Sequence, residues 1–171
     1  CQIGYAPVGK TIIPATERKE DIEAARFKAF ATEKENVVWS NSWWMDPVYL
    51  GSYPEDGLKA LEGHLPLIKA DDLRTINQPL DFFGINTYQG TIVRAGANGE
   101  PEEVERESGY PRTAIEWAVV PEALRWGPRF FYERYKKPVI ITENGLSNQD
   151  WVSLDGAVHD PQRIDFTQRY L

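Results

Sequence analysis

A carboxylate at the end of an apolar run is the clearest candidate for chemistry in this sequence. The run Val139–Ile141 is β-branched throughout, and Thr142, Glu143 and Asn144 follow it directly. Such a run is typical of a strand buried on both faces, and parallel strands in α/β folds present functional groups at their C-terminal ends. A carboxylate placed there loses hydration unless donors compensate, so its position favours chemistry over stability. The spacing alone leaves open that Glu143 lies on an exposed loop after an ordinary strand.

Two further polar side chains follow a second apolar run. Asn86 and Tyr88 come at the end of Phe82–Ile85, and because they are two residues apart they are predicted to point the same way. Thr87, between them, is predicted to face the opposite side. The pattern also permits a plainer interpretation, in which Tyr88 is only an aromatic residue of a strand.

Five stretches of the chain resemble motifs of family 1 glycoside hydrolases, the β-glucosidase family, and occur in the same order. Val-Ile-Ile-Thr-Glu-Asn-Gly at 139–145 resembles the nucleophile motif, and Asp-Phe-Phe-Gly-Ile-Asn-Thr-Tyr at 81–88 resembles the sixth strand. The segments 43–54, 116–124 and 160–171 are similar to three further family motifs. The resemblance therefore covers nearly the whole chain.

The resemblance implies a site and a reaction. Glu143 would be the nucleophile of a retaining β-glycosidase, and Tyr88 would donate a hydrogen bond to its carboxylate. Asn86 and Trp117 would bind the substrate, a β-glucoside or related oligosaccharide, with the Trp117 indole on the leaving-group side. Neither a cofactor nor a metal is implied. Glu116 departs from the family pattern because glycine is usual at its position.

A retaining glycosidase needs a second carboxylate as acid/base. The family carries it in an Asn-Glu-Pro motif, which is absent here, and Gly99-Glu100-Pro101 lies in a polar loop that does not match. Two interpretations follow. The chain is part of a β-glucosidase active site, or it is a catalytically inactive barrel fragment that acts as a carbohydrate-binding or structural protein. We expect residues 1–171 alone not to hydrolyse β-glucosides at an enzymatic rate.

The elements that would carry these groups predict an α/β fold. Apolar runs near residues 2–6, 81–87 and 138–142 alternate with helical patterns, which is typical of parallel β/α units. The resemblance identifies them as about strands five to seven of a (β/α)8 TIM barrel. A complete barrel needs about 200 residues, and this chain has 171 and begins with Cys1. We therefore expect a single partial TIM-barrel domain over 1–171, associated with remaining barrel segments or with itself.

The other segments are predicted to be scaffold. Helices are predicted near residues 20–34, 70–73, 128–136 and from 161 onward, loops over 9–16 and 36–66, and an exposed hairpin or mobile loop over 89–111. The aromatic-rich loop contains Trp39, Trp43 and Trp44, which could form a sugar platform or pack the loop onto the barrel wall. Its Asp-Pro and Tyr-Pro pairs mark turns and favour packing.

Composition narrows the possible partners. The formal net charge of −7 and the lack of a basic cluster argue against nucleic acid, and no apolar run approaches the length of a membrane span. One cysteine excludes an internal disulfide, and the two histidines are far apart with no cysteine nearby, so no zinc site is predicted. We expect a cytoplasmic protein.

Overall fold

Two three-stranded sheets organise the computed structural model, which describes residues 1–171. The strands are β1 (Gly4–Tyr5), β2 (Ile12–Pro14), β3 (Phe82–Asn86), β4 (Thr91–Ala95), β5 (Pro101–Glu103) and β6 (Val139–Glu143). The helices are α1 (Lys19–Phe30), α2 (Asn41–Tyr49), α3 (Glu55–Ala60), α4 (Ala70–Ile76), α5 (Ala123–Tyr135) and α6 (Pro161–Tyr170), with a 3-10 helix over Val37–Trp39. None of these helices combines the length and the apolar content needed to cross a bilayer.

The first sheet, in the order β1-β3-β6, confirms the three predicted parallel strands. Phe83 and Ile85 of β3 are completely buried on one face of this sheet, where they pack against Met45, Phe131 and Tyr135 from α2 and α5. Helices therefore cover one face of the sheet, as in a β/α unit. The three strands end at the same edge because they are parallel, which brings their C-terminal residues together.

The opposite face of this sheet is open, so the prediction that the β6 run is buried on both faces is wrong. Val139 and Ile141 pack toward the helices, whereas Ile140 is 44% exposed. On its face lie Gly84 of β3 and Ala6, which directly follows β1, and a side chain at Gly84 would meet the Ala6 Cβ at 2.8 Å. These small residues leave Ile140 uncovered.

The second sheet, in the order β2-β4-β5, contains a strand within a segment that was predicted to be a loop. β2 lies within residues 9–16 and pairs in parallel with β4, and β4 and β5 form the predicted hairpin. The hairpin is not wholly exposed, because Val93 is completely buried beneath α1 with Ile12 and Ile13. A three-residue strand is too short to give a periodic signal, which explains why β2 was missed.

Helix α5 begins earlier than predicted. Its first residue is Ala123, and Pro128 lies inside it instead of at its start. Ala123, Trp126 and Phe130 recur at helical spacing and are at most 3% exposed. Burial of a large apolar side chain contributes about 1.5–3 kcal/mol, so Trp126 and Phe130 together offset the roughly 3 kcal/mol cost of an interior proline.

An ion pair inside the fold joins α2 to α5. The loop predicted over 36–66 contains α2, and Asp46 lies in that helix with a side chain only 5% exposed. Its two carboxylate oxygens accept hydrogen bonds from Arg134 Nε and Nη2 at 2.9 and 2.6 Å, and the Tyr135 hydroxyl donates a third at 2.8 Å. Burial and the Asp46 charge raise the pKa of Tyr135, so its hydroxyl remains a donor. Asp46 is therefore a structural residue, not a turn marker.

Helix α5 ends at a residue that favours glycine. Lys136, its C-cap, has φ 55° and ψ 31°, in the left-handed region. We expect Lys136→Gly to stabilise the protein by up to about 1 kcal/mol, because glycine adopts this conformation without steric cost. Thermal unfolding measures the change. Lys137→Gly is the matched control and should not stabilise, and equal effects of the two substitutions would contradict the argument.

Candidate active site

The ends of β3 and β6 meet through a direct side-chain contact. The Tyr88 hydroxyl donates a hydrogen bond to Oε2 of Glu143, which is the contact predicted from the sequence. Beside it, the Thr142 hydroxyl donates to Oδ1 of Asn86 at 2.6 Å. Three of the four predicted site residues therefore lie together at one edge of the first sheet.

A β-bulge sets the direction of Glu143. Ile85 pairs with Ile141, but the next residue, Asn86, pairs with Glu143, so Thr142 is an extra residue in β6. In a regular strand Thr142 and Glu143 would point to opposite faces of the sheet. The bulge instead brings both beside Asn86, a type of irregularity that re-aims side chains next to functional sites.

Two hydrogen bonds to the Thr87 backbone fix the two strand ends to each other. The Thr87 N–H donates to the Glu143 carbonyl at 2.9 Å, and the Asn144 side chain donates to the Thr87 carbonyl at 2.8 Å. Thr87 is 1% exposed and faces the interior, as its position between Asn86 and Tyr88 predicts. These two hydrogen bonds join Thr87, which precedes Tyr88, to Glu143 and Asn144, and so they hold Tyr88 and Glu143 in position.

Trp117 extends the site from a neighbouring loop. Its ring centroid lies 5.6 Å from that of Tyr88, and the indole is 37% exposed. The preceding residue, Glu116, has φ 65°, which is the conformation that glycine adopts freely. A hydrogen bond from the Thr113 N–H to the Trp117 carbonyl at 2.8 Å closes the turn. The backbone at Glu116 therefore has the conformation expected for the glycine that is usual at this position.

Tyr170 supports the site from α6, and no sequence pattern pointed to it. Its hydroxyl accepts a hydrogen bond from the Val120 N–H at 2.8 Å and donates one to the Tyr88 carbonyl at 3.2 Å. The side chain is 6% exposed and stacks on Phe166 at 3.9 Å. One hydroxyl thus connects the segment after Trp117 to the segment that carries Tyr88.

The contact with Glu143 favours the protonated form of the Tyr88 hydroxyl. The hydrogen bond to the Glu143 carboxylate raises the pKa of the Tyr88 hydroxyl, and partial burial and the carboxylate charge act in the same direction. Tyr88 therefore remains a donor at neutral pH. A carboxylate with one oxygen occupied by a donor keeps the other available for attack.

A cavity of about 680 Å³ lies next to this pair. Asn86, Tyr88 and Trp117 line it, together with residues from the β1–β2 connection and from α2. Glu143 is not part of the lining and reaches the cavity edge through its contact with Tyr88. No group of three or more histidine, cysteine, aspartate or glutamate side chains is arranged to hold a metal ion.

The sequence profile of the family described as Glycosyl hydrolase family 1 matches residues 1–171. The chain belongs to this family. The 1,4-beta-D-glucan glucohydrolase of Thermotoga neapolitana is 36% identical over 159 residues, which are 92% of this chain and 36% of that protein. Beta-glucosidase A of Acetivibrio thermocellus is 32% identical over 176 residues, which are 99% of this chain and 38% of that protein. The family 1 chain thus spans little more than a third of the length of these relatives.

Solved structures of the family have the same fold. The family 1 β-glucosidase from Thermotoga maritima in complex with isofagomine lactam aligns with a TM-score of 0.71 and 36% identity, over 99% of this chain and 37% of that chain. Residues 1–171 therefore have an α/β fold that forms part of a TIM barrel, as predicted. The three parallel strands are an arc of that barrel.

Proposed function

We propose that residues 1–171 supply the nucleophile side of a retaining β-glucosidase active site. The contact between Tyr88 and Glu143 at the C-terminal ends of parallel strands carries this proposal. Catalytic groups of TIM-barrel enzymes lie at that end of the barrel. The names of the family relatives, which include β-glucosidases and a β-glucan glucohydrolase, support the substrate class.

In the proposed reaction, Glu143 attacks the anomeric carbon of a β-glucoside with its free carboxylate oxygen. The bond between that carbon and the leaving-group oxygen breaks, an acid protonates the departing oxygen, and a glycosyl ester forms on Glu143. Water then hydrolyses the ester, and the anomeric configuration is retained because two displacements occur. Tyr88 orients the carboxylate, while Asn86 and Trp117 contact the sugar.

The acid/base belongs to a part of the barrel outside these residues. The complete barrel, meaning residues 1–171 together with the segments that carry the acid/base, is therefore the proposed catalyst, and the cytoplasm is its proposed location. General acid catalysis typically contributes about 10²–10⁴-fold, so residues 1–171 alone should not turn over an unactivated disaccharide. On their own, residues 1–171 would then act only as a carbohydrate-binding or structural protein.

The test replaces Glu143 with alanine in the complete barrel and supplies azide. Azide fits the space left by the carboxylate and attacks the anomeric carbon from the same side in a single displacement. We expect azide to restore cleavage of an aryl β-glucoside with a good leaving group, with an α-glycosyl azide as the product. Nuclear magnetic resonance of the product gives its configuration.

The matched control is Glu122→Ala, which removes an exposed carboxylate at the start of α5. This variant should keep its activity and show no dependence on azide. A Glu143→Ala variant with full activity, or a β-glycosyl azide as its product, would contradict the assignment of Glu143 as the nucleophile.

A further inference from the structure

A side chain from a distant helix holds the backbone of Tyr88, the residue whose hydroxyl contacts Glu143. The Tyr170 hydroxyl, near the end of α6, donates to the Tyr88 carbonyl at 3.2 Å, and no backbone N–H of residues 1–171 donates to that carbonyl. Tyr88 comes two residues after the end of β3, so the hydrogen bonds of the sheet do not extend to it. The position of the chain beyond Thr87 therefore depends on Tyr170.

The same hydroxyl accepts a hydrogen bond from the segment that follows Trp117. The Val120 N–H donates to it at 2.8 Å, and Val120 is completely buried. The Trp117 ring lies 5.6 Å from the Tyr88 ring, so this segment also limits where the Tyr88 side chain can lie. One hydroxyl of Tyr170 thus joins the Tyr88 backbone to the segment beside the Tyr88 ring.

Burial makes this link persistent. Tyr170 is 6% exposed, its ring stacks on Phe166, and both pack with Val119. Burial also raises the pKa of Tyr170, so the hydroxyl keeps the proton that it donates. Further barrel segments would leave this burial in place, because they can only cover more of the surface. Removing the hydroxyl would leave the Val120 N–H unpaired in a buried setting.

We propose that Tyr170 is a positioning residue for nucleophilic attack by Glu143. Its hydroxyl fixes the Tyr88 backbone, which sets the direction of the hydrogen bond from the Tyr88 side chain to the Glu143 carboxylate. Small displacements of groups that orient a reacting atom can cost large factors in rate. Tyr170 donates its one proton to Tyr88 and does not line the cavity, so it acts through Tyr88. The inference rests on the proposed function and adds a residue to it.

A double-mutant cycle in the complete barrel separates this role from a purely structural one. The four proteins are the parent, Tyr170→Phe, Tyr88→Phe and the double variant. The rate constant for glycosyl-ester formation is measured from release of the leaving group of a 2-deoxy-2-fluoro β-glucoside. We expect Tyr170→Phe to lower it about tenfold in the parent and less than about twofold in the Tyr88→Phe background. The second effect is small because no Tyr88 hydroxyl is then left to misplace.

The free energy of unfolding should respond differently, because the hydrogen bond to Val120 is lost in both backgrounds. Tyr170→Phe should therefore lower the free energy of unfolding equally with and without the Tyr88 hydroxyl. Tyr135→Phe is the matched control, since Tyr135 is 5% exposed and its hydroxyl donates a buried hydrogen bond to Asp46 at 2.8 Å. It should lower the free energy of unfolding and leave the rate of ester formation unchanged.

The cycle has clear contrary results. Equal slowing by Tyr170→Phe in the parent and in the Tyr88→Phe background would overturn the inference, and so would ester formation by Tyr170→Phe at the parent rate. A parent protein that releases no leaving group would instead contradict the proposed function, before any variant is compared.

Discussion

Replacing Glu143 with glutamine is expected to lower β-glucosidase turnover by about 10⁴-fold or more in the complete barrel. The amide is nearly isosteric with the carboxylate but cannot form the glycosyl ester. The hydrogen bond from Tyr88 can be kept, because the amide oxygen of glutamine still accepts it. The effect should therefore appear in kcat, with little change in the free energy of unfolding. Steady-state kinetics and thermal unfolding measure the two quantities.

Glu105→Gln is the control for this substitution, since it makes the same change at another glutamate, between β5 and α5 and away from the strand ends. It should leave kcat unchanged. A Glu143→Gln variant that retains more than a few per cent of the parent activity would show that another carboxylate is the nucleophile.

The largest loss of stability is expected from Asp46→Ala, at about 3 kcal/mol. The substitution removes the acceptor of three hydrogen bonds and leaves Arg134 and Tyr135 without their partner in a buried setting. Arg134 is 32% exposed, so water can hydrate part of its charge, which places the loss at the lower end of the range for buried ion pairs. Chemical denaturation gives the free energy of unfolding.

Asp155→Ala is the comparison for this loss, because Asp155 also pairs with a side chain but is 57% exposed. Exposed pairs contribute little to stability, so Asp155→Ala should lower the free energy of unfolding much less than Asp46→Ala. If the two substitutions lower the free energy of unfolding by the same amount, the buried network between α2 and α5 does not have the stabilising role assigned to it.

The sequence was sufficient to locate the three parallel strands and the contact between Tyr88 and Glu143. Continuous apolar runs identified β3 and β6, and parallel strands place their C-terminal residues at one edge. The family motifs then distinguished these residues from ordinary strand ends. The roles of Asn86 and Trp117 as substrate-binding residues stay predictions, although both line the cavity next to Tyr88.

Other features depend on tertiary structure that no local pattern carries. The bulge at Thr142 decides which way Glu143 points, yet strict alternation along β6 would place Glu143 on the opposite face from Asn86. Tyr170 contacts Tyr88 across 82 positions of the chain, so its role follows from how α6 packs. The packing of Trp43 on Tyr53 likewise appears only in the fold, because the sequence left open whether this aromatic segment packs or binds a sugar.

Covalent trapping tests the central claim most directly. A 2-deoxy-2-fluoro β-glucoside with a good leaving group slows both displacement steps, and the good leaving group restores the first, so the glycosyl ester accumulates. After incubation with the complete barrel and proteolysis, mass spectrometry identifies the labelled peptide. Our account predicts one added fluoroglucosyl group, on Glu143. A label on any other carboxylate, or labelling that persists in Glu143→Gln, would contradict it.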